Sequence, residues 1–173
     1  AGWNIVTSAG SDEAANFGLD DTPEHAGRYA RAEEFVEVVT ALWDSWEDDA
    51  LVLDPATGVF ADPDKVHTVD HAGERFRVRG PLNTPRPPQG RPLLVQAGSS
   101  ESGRSFAARH AEAIFTAQRS IDEGRAFYRD VKARAVRFGR NPDEIKILPG
   151  IVPYIAETED AARQLEQEFT DLI

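Results

Sequence analysis

The 173-residue chain contains no cysteine and no methionine. Without thiols, disulfides, thiolate metal sites and cysteine nucleophiles are excluded. A cysteine-free chain fits the reducing cytoplasm, the location expected here. Basic charge is scarce: 19 Lys and Arg stand against 30 Asp and Glu, a net charge of -11. That balance repels a phosphate backbone or an anionic bilayer, so nucleic acid and membrane are not expected partners. No apolar run reaches the length of a membrane span. The opening AGWNIVTSAG has neither the basic region nor the apolar run of a secretion signal. What is present is ordinary for a globular chain: 40% hydrophobic residues can build a core. The length suits one domain. The chain starts at Ala1 inside a strand-like segment and stops at Ile173 inside a helix-like one, which reads as an internal portion of a longer protein.

Hydrophobic spacing gives the organisation. Residues 3–8 read as a short strand, followed by a polar loop over 9–21. Thr22 and Pro23 read as N-cap and first position of a helix to about Trp46, with Tyr29, Ala32, Phe35, Val36, Val39, Leu42, Trp43 and Trp46 on its apolar face. Residues 47–92 carry turn signals at Asp54-Pro55, Thr57-Gly58, Asp62-Pro63 and Ala72-Gly73, an inserted excursion with a hairpin or two. Regularity returns with strands at 93–97, 113–117 and 145–156, the last interrupted by Pro149-Gly150 and Pro153. Helices follow each: one through Ala111, one over about 122–138, and one capped by Thr158. Four strand-helix units predict an α/β fold with a parallel sheet. They are half of a (β/α)8 TIM-type barrel, with a small doubly wound sheet as the other solution.

In both architectures the site lies beyond the C-terminal strand ends. That rule singles out Thr7 and Ser8, residues 96–100, and residues 116–118. LLVQAGSSESG, residues 93–103, runs a strand into Gly98, Ser99 and Ser100 and then a helix. Free N–H groups and two hydroxyls there suit a phosphate, with Arg104 able to add charge. A plain serine cap explains the same pattern and is the simpler local account. His25 and Tyr29, four apart, share a helix face beside Arg28, a set able to hold an anion or a ring edge. A solvated His25 and a core Tyr29 explain that spacing somewhat better. His67 and His71 fall near a turn, His110 in a helix, and Glu47, Asp48 and Asp49 at what reads as a solvated helix end. No metal site and no catalytic acid–base pair is assigned.

Taken together, GWNIVTS (2–8), NFG (16–18), EHAGRYARAEEFVEV (24–38), LWDSW (42–46), KVHTVDHAGERFRVRGPLN (65–83) and QGRPLLVQAGSSESGR (89–104) resemble one group. It is the nitrilotriacetate monooxygenase component A group of the bacterial-luciferase-like flavin monooxygenases, with dibenzothiophene-sulfone and long-chain alkane monooxygenases among its members. The resemblance spans nearly the whole chain and places it in the middle portion of those longer proteins. It implies a (β/α)8 barrel, here about four βα units with an insertion at about 47–92. It implies reduced FMN and O2, FMNH2 supplied by a separate NAD(P)H:flavin oxidoreductase, and monooxygenation of a small organic molecule through a flavin C4a-(hydro)peroxide. A homo-oligomer is expected. Ser8, His25, Arg28, Tyr29, Ser99 and Ser100 match the family's flavin-binding positions, which turns both local readings toward the cofactor. Where some relatives carry His or Tyr after the Thr-Ser pair, this chain has Ala9, so a relative's substrate contact there does not carry over. Two other readings stand beside this one: an F420-dependent oxidoreductase of the same fold, and a non-catalytic flavin-binding or structural fragment. The isolated chain is expected to be inactive.

Overall fold

A computed structural model describes residues 1–8 and 10–172, so the departure at Ala9 lies outside the described residues. In chain order the elements are β1 (Gly2–Asn4), α1 (Ser11–Asn16), α2 (His25–Trp43), β2 (Leu51–Asp54), β3 (Val59–Ala61), β4 (His71–Ala72), β5 (Arg77–Val78), β6 (Leu93–Gln96), α3 (Glu101–His110), β7 (Ala113–Thr116), α4 (Ile121–Arg137), β8 (Lys146–Pro149) and α5 (Glu159–Thr170). β1, β6, β7 and β8 form one sheet in that order, every pair parallel. Each is followed by a helix, so the four predicted strand-helix units are all present. The sheet is open, not a closed barrel.

Side chains alternate across a strand, and the register sorts them. Trp3 pairs with Leu94, Gln96 with Ile114, and Ile114 with Ile147. This face is covered. Ile5, Leu94 and Phe106 pack with Ala32 and Val36 of α2, and with Trp3, Tyr29 and Trp43. Beside them Ala107, Ala108, Ala111, Ile114, Phe127, Val131, Ala135 and Ile145 form a second cluster under α3 and α4. Full burial of a Phe, Ile or Val side chain contributes about 1.5–3 kcal/mol. The opposite face is bare: Leu93, Phe115 and Leu148 are 42%, 51% and 53% exposed. The helices start where hydroxyl caps permit: Ser100, Ser120 and Thr158 accept from the N–H of Gly103, Glu123 and Ala161. Among the described residues no helix is long and apolar enough to cross a membrane.

The excursion contains the two hairpins, β2–β3 and β4–β5, both antiparallel. Glu34 of α2 anchors the second. Its carboxylate accepts from the N–H of Arg75 at 2.9 Å and of Phe76 at 2.8 Å, and meets His71 Nε2 at 3.0 Å. The His71 contact, with those two N–H groups, holds the Glu34 carboxyl below its ordinary range against an opposing burial effect.

Several expectations are corrected. α2 starts at His25 with Glu24 as its cap; Thr22 does not cap, and its hydroxyl is buried without a partner among the described residues. It ends at Trp43 and not Trp46, because the Ser45 hydroxyl donates to Leu42 O and the Trp46 indole donates to Leu82 O, drawing the chain into the excursion. The loop over 9–21 contains the short helix α1. The strand expected over 145–156, with interruptions at Pro149-Gly150 and Pro153, does end at Pro149; the Gly150 N–H still donates to Thr116 O, and no strand resumes after it. The acidic run is not merely a solvated helix end. Glu47 meets His67, Asp48 meets Arg86 and Asp49 meets Lys65, tying α2's exit to the excursion.

Candidate flavin site

The β6–α3 turn is the centre of the candidate site. Gly98 and Gly103 are in close approach: a Cβ on either would lie 2.9 Å from the other's Cα. The same added atoms would fall 2.8 Å and 2.9 Å from the Tyr29 hydroxyl. The turn is therefore folded onto the start of α3 with Tyr29 against its back, and only glycine fits at both positions. Tyr29 in turn stands edge-on to Phe106, ring centres 5.8 Å apart.

Ser100 caps α3, and its hydroxyl lies 3.3 Å from His25 Nε2. His25 also lies against the Tyr29 ring, centres 4.8 Å apart. The structure thus brings His25, Tyr29 and Ser100 together, with exposed Ser99 adjoining. The N–H groups of Ser99, Ser100, Glu101 and Ser102 take no partner among the described hydrogen bonds. They sit at the positive end of a ten-residue helix, which favours an anion. Ser8 follows β1, the neighbour of β6, at the same end of the sheet; it is exposed and has a positive φ of 39°. Arg28 is half-buried and donates to Pro23 O at 2.6 Å, with no bond to the serine turn among the described ones.

Arg104 does not add charge to the turn, as its position had suggested. It faces α4, meeting Glu101 and Asp130, each at 3.2 Å. Arg134 grips Glu101 through two bonds of 2.6 and 2.9 Å. The Arg134 guanidinium, with Arg104 beside it, holds the Glu101 carboxyl below its ordinary range against a burial effect that opposes it. The two arginines offset an acidic charge that would otherwise repel an anion at the first turn of α3.

The close approach of Gly98 and Gly103 was not read from the sequence; the signal for it was two glycines flanking a serine cap. Gln118 donates to Thr116 at 2.7 Å at the neighbouring strand end. A groove of about 920 Å³ lies at the opposite end of the sheet, among Arg91, Leu94, Glu112 and Lys146. Those residues precede or begin strands, the end that carries stability and not chemistry in such folds. Among the described residues no group of three or more His, Cys, Asp or Glu could hold a metal.

The luciferase-like monooxygenase profile matches residues 1–171. The chain belongs to the luciferase-like monooxygenase family. This luciferase-like chain is 53% identical, over its whole length, to nitrilotriacetate monooxygenase component A of Aminobacter aminovorans, of which it covers 38%. It is 52% identical, again over its whole length, to N-acetyl-S-(2-succino)cysteine monooxygenase of Bacillus subtilis (strain 168), covering 39%. Among solved structures, a long-chain alkane monooxygenase superposes with a TM-score of 0.88 at 40% identity, over 98% of this chain and 39% of the other. A riboflavin lyase crystallised with modified FMN and riboflavin gives 0.88 at 44% identity, over 98% and 38%. The chain thus spans about two fifths of the length of the relatives it matches.

Proposed function

We propose that this chain forms part of a two-component, reduced-FMN-dependent monooxygenase and contributes the cradle for the flavin phosphate. The β6–α3 turn carries the reading: free N–H groups, two serine hydroxyls and a glycine pair that lets the turn fold tightly onto the start of α3. The residues present fit the group. Ser99, Ser100 and the first N–H groups of α3 would hold the phosphate. His25 and Tyr29 would flank it, and Ser8 would approach from the β1 end. Arg28 stands further back, braced on Pro23. Bound reduced FMN supplies the electrons that activate O2, so that one oxygen atom enters the substrate and the other leaves as water. The chain's own work is to bind, to orient and to keep water out. Its bare sheet face is proposed to line the interior of a (β/α)8 barrel completed by other strands, with residues 47–92 inserted between the first two βα units. A separate NAD(P)H-dependent flavin reductase would supply the FMNH2, and the substrate would be a small organic molecule.

The test is an anaerobic titration of the full-length protein with reduced FMN. Losing one hydrogen bond to a charged phosphate costs about 1.5–3 kcal/mol, so Ser100→Ala is expected to weaken binding roughly 10- to 100-fold. His25→Ala is expected to weaken it as well. Unchanged affinity in both variants would place the flavin elsewhere.

A further inference from the structure

Gln96 ends β6 and is only 3% exposed, on the helix-covered face that also carries Leu94. An apolar side chain would cost nothing there, whereas a buried carboxamide costs free energy unless bonded. Gln96 meets that cost at the turn: its Oε1 accepts from the N–H of Gly98 at 2.5 Å, two residues on, and its Nε2 is not left as a buried atom without a partner. That nitrogen lies 2.5 Å from where a Cβ on Gly98 would stand, so the amide packs directly on the turn. The Gly98 N–H is the second beyond the strand, after Ala97, and has no backbone partner among the described hydrogen bonds. Held from behind by Gln96, the peptide of Gly98 is fixed in direction, and with it the free N–H groups of Ser99 and Ser100.

We infer that Gln96 is a positioning residue for the phosphate cradle: it touches no flavin atom, and sets the direction of the 98–100 backbone that does. The inference rests on the placement of the phosphate at this turn. It requires that loss of Gln96 harm recognition of the phosphate and spare the rest of the flavin.

The full-length protein is titrated anaerobically with reduced FMN and with reduced riboflavin, which lacks the phosphate. Gln96→Met keeps the length of the side chain and removes the acceptor. Gly98→Ala disturbs the same turn by pushing on Tyr29, Gln96 and Gly103. Both variants are expected to lower the FMN-to-riboflavin affinity ratio by about tenfold, with riboflavin affinity nearly unchanged. A ratio that stays at the wild-type value in either variant overturns the inference. So does equal weakening toward both flavins, the mark of a general packing defect. If the wild-type protein itself shows no preference for FMN over riboflavin, the phosphate placement falls, and Gln96's role falls with it. The two failures are therefore told apart by the wild-type ratio.

Discussion

Three helical glycines make opposite predictions for one substitution. Gly→Ala inside a helix ordinarily stabilises by about 1 kcal/mol, because alanine loses less backbone freedom on folding. Gly27 in α2 has nothing within 4 Å of an added Cβ, and Gly124 in α4 meets only the Gln118 side chain at 3.9 Å. Gly27→Ala and Gly124→Ala should each stabilise by about 0.5–1 kcal/mol. Gly103 is buried in α3, and its added Cβ would meet Gly98 Cα at 2.9 Å and the Tyr29 hydroxyl at 2.9 Å. The backbone neighbour cannot rotate away as a side-chain tip can. Overpacking of this kind costs about 1–3 kcal/mol, which outweighs the propensity gain at the middle of that range. A net loss of about 1 kcal/mol lowers the urea midpoint, by less than the roughly half a molar unit of a small protein with a slope near 2 kcal/mol/M, because the slope rises with chain length. The assay is urea unfolding of the full-length protein and the three variants at one fixed protein concentration. A midpoint for Gly103→Ala that rises alongside the other two would refute the close packing of α3 on the turn.

Other outcomes follow from the anchors. Since the Glu34 carboxyl is held below its ordinary range, its contribution is complete above the unfolded-state value and is lost as pH falls through the lower folded-state value. Hydrogen-exchange protection of the Arg75 and Phe76 amides should therefore drop in acid ahead of protection in β6, and Glu34→Gln should remove that dependence. An acid profile identical in the variant would place the anchor elsewhere. Phe106, 1% exposed, is expected to cost about 3–5 kcal/mol as Phe106→Ala. Because it backs Tyr29, reduced-FMN affinity should fall in the same variant; unchanged thermal stability would rule out the proposed packing.

The alternation of four strands and four helices was legible because each unit has its own period, and two caps, Ser100 and Thr158, act as read, while Ser120 adjoins the start expected at about 122. Boundaries were lost where a distant partner decides them. Trp46 has the spacing to extend α2, yet its indole is captured by Leu82, 36 residues away, which no local pattern reports. Thr22 has the chemistry of a cap and the wrong backbone position for it. At the site, spacing alone could not choose between a capping Ser100 and a ligand-facing one. The structure gives it the cap bond and also sets it beside His25, 75 residues earlier. Arg104 was misdirected in the reading because Asp130, its partner, belongs to the next unit.

The Glu34 carboxylate does for the second hairpin what a sheet ladder does elsewhere. Two strands of two residues each are too short to hold one another, and one side chain from α2 supplies the missing bonds. The hairpin is therefore tethered at its tip as well as bonded along its short length. Phe76 at that tip also packs on Phe35 and Arg31 of α2, so moving this lobe to another scaffold would require the glutamate, its two amides and that aromatic contact to travel together.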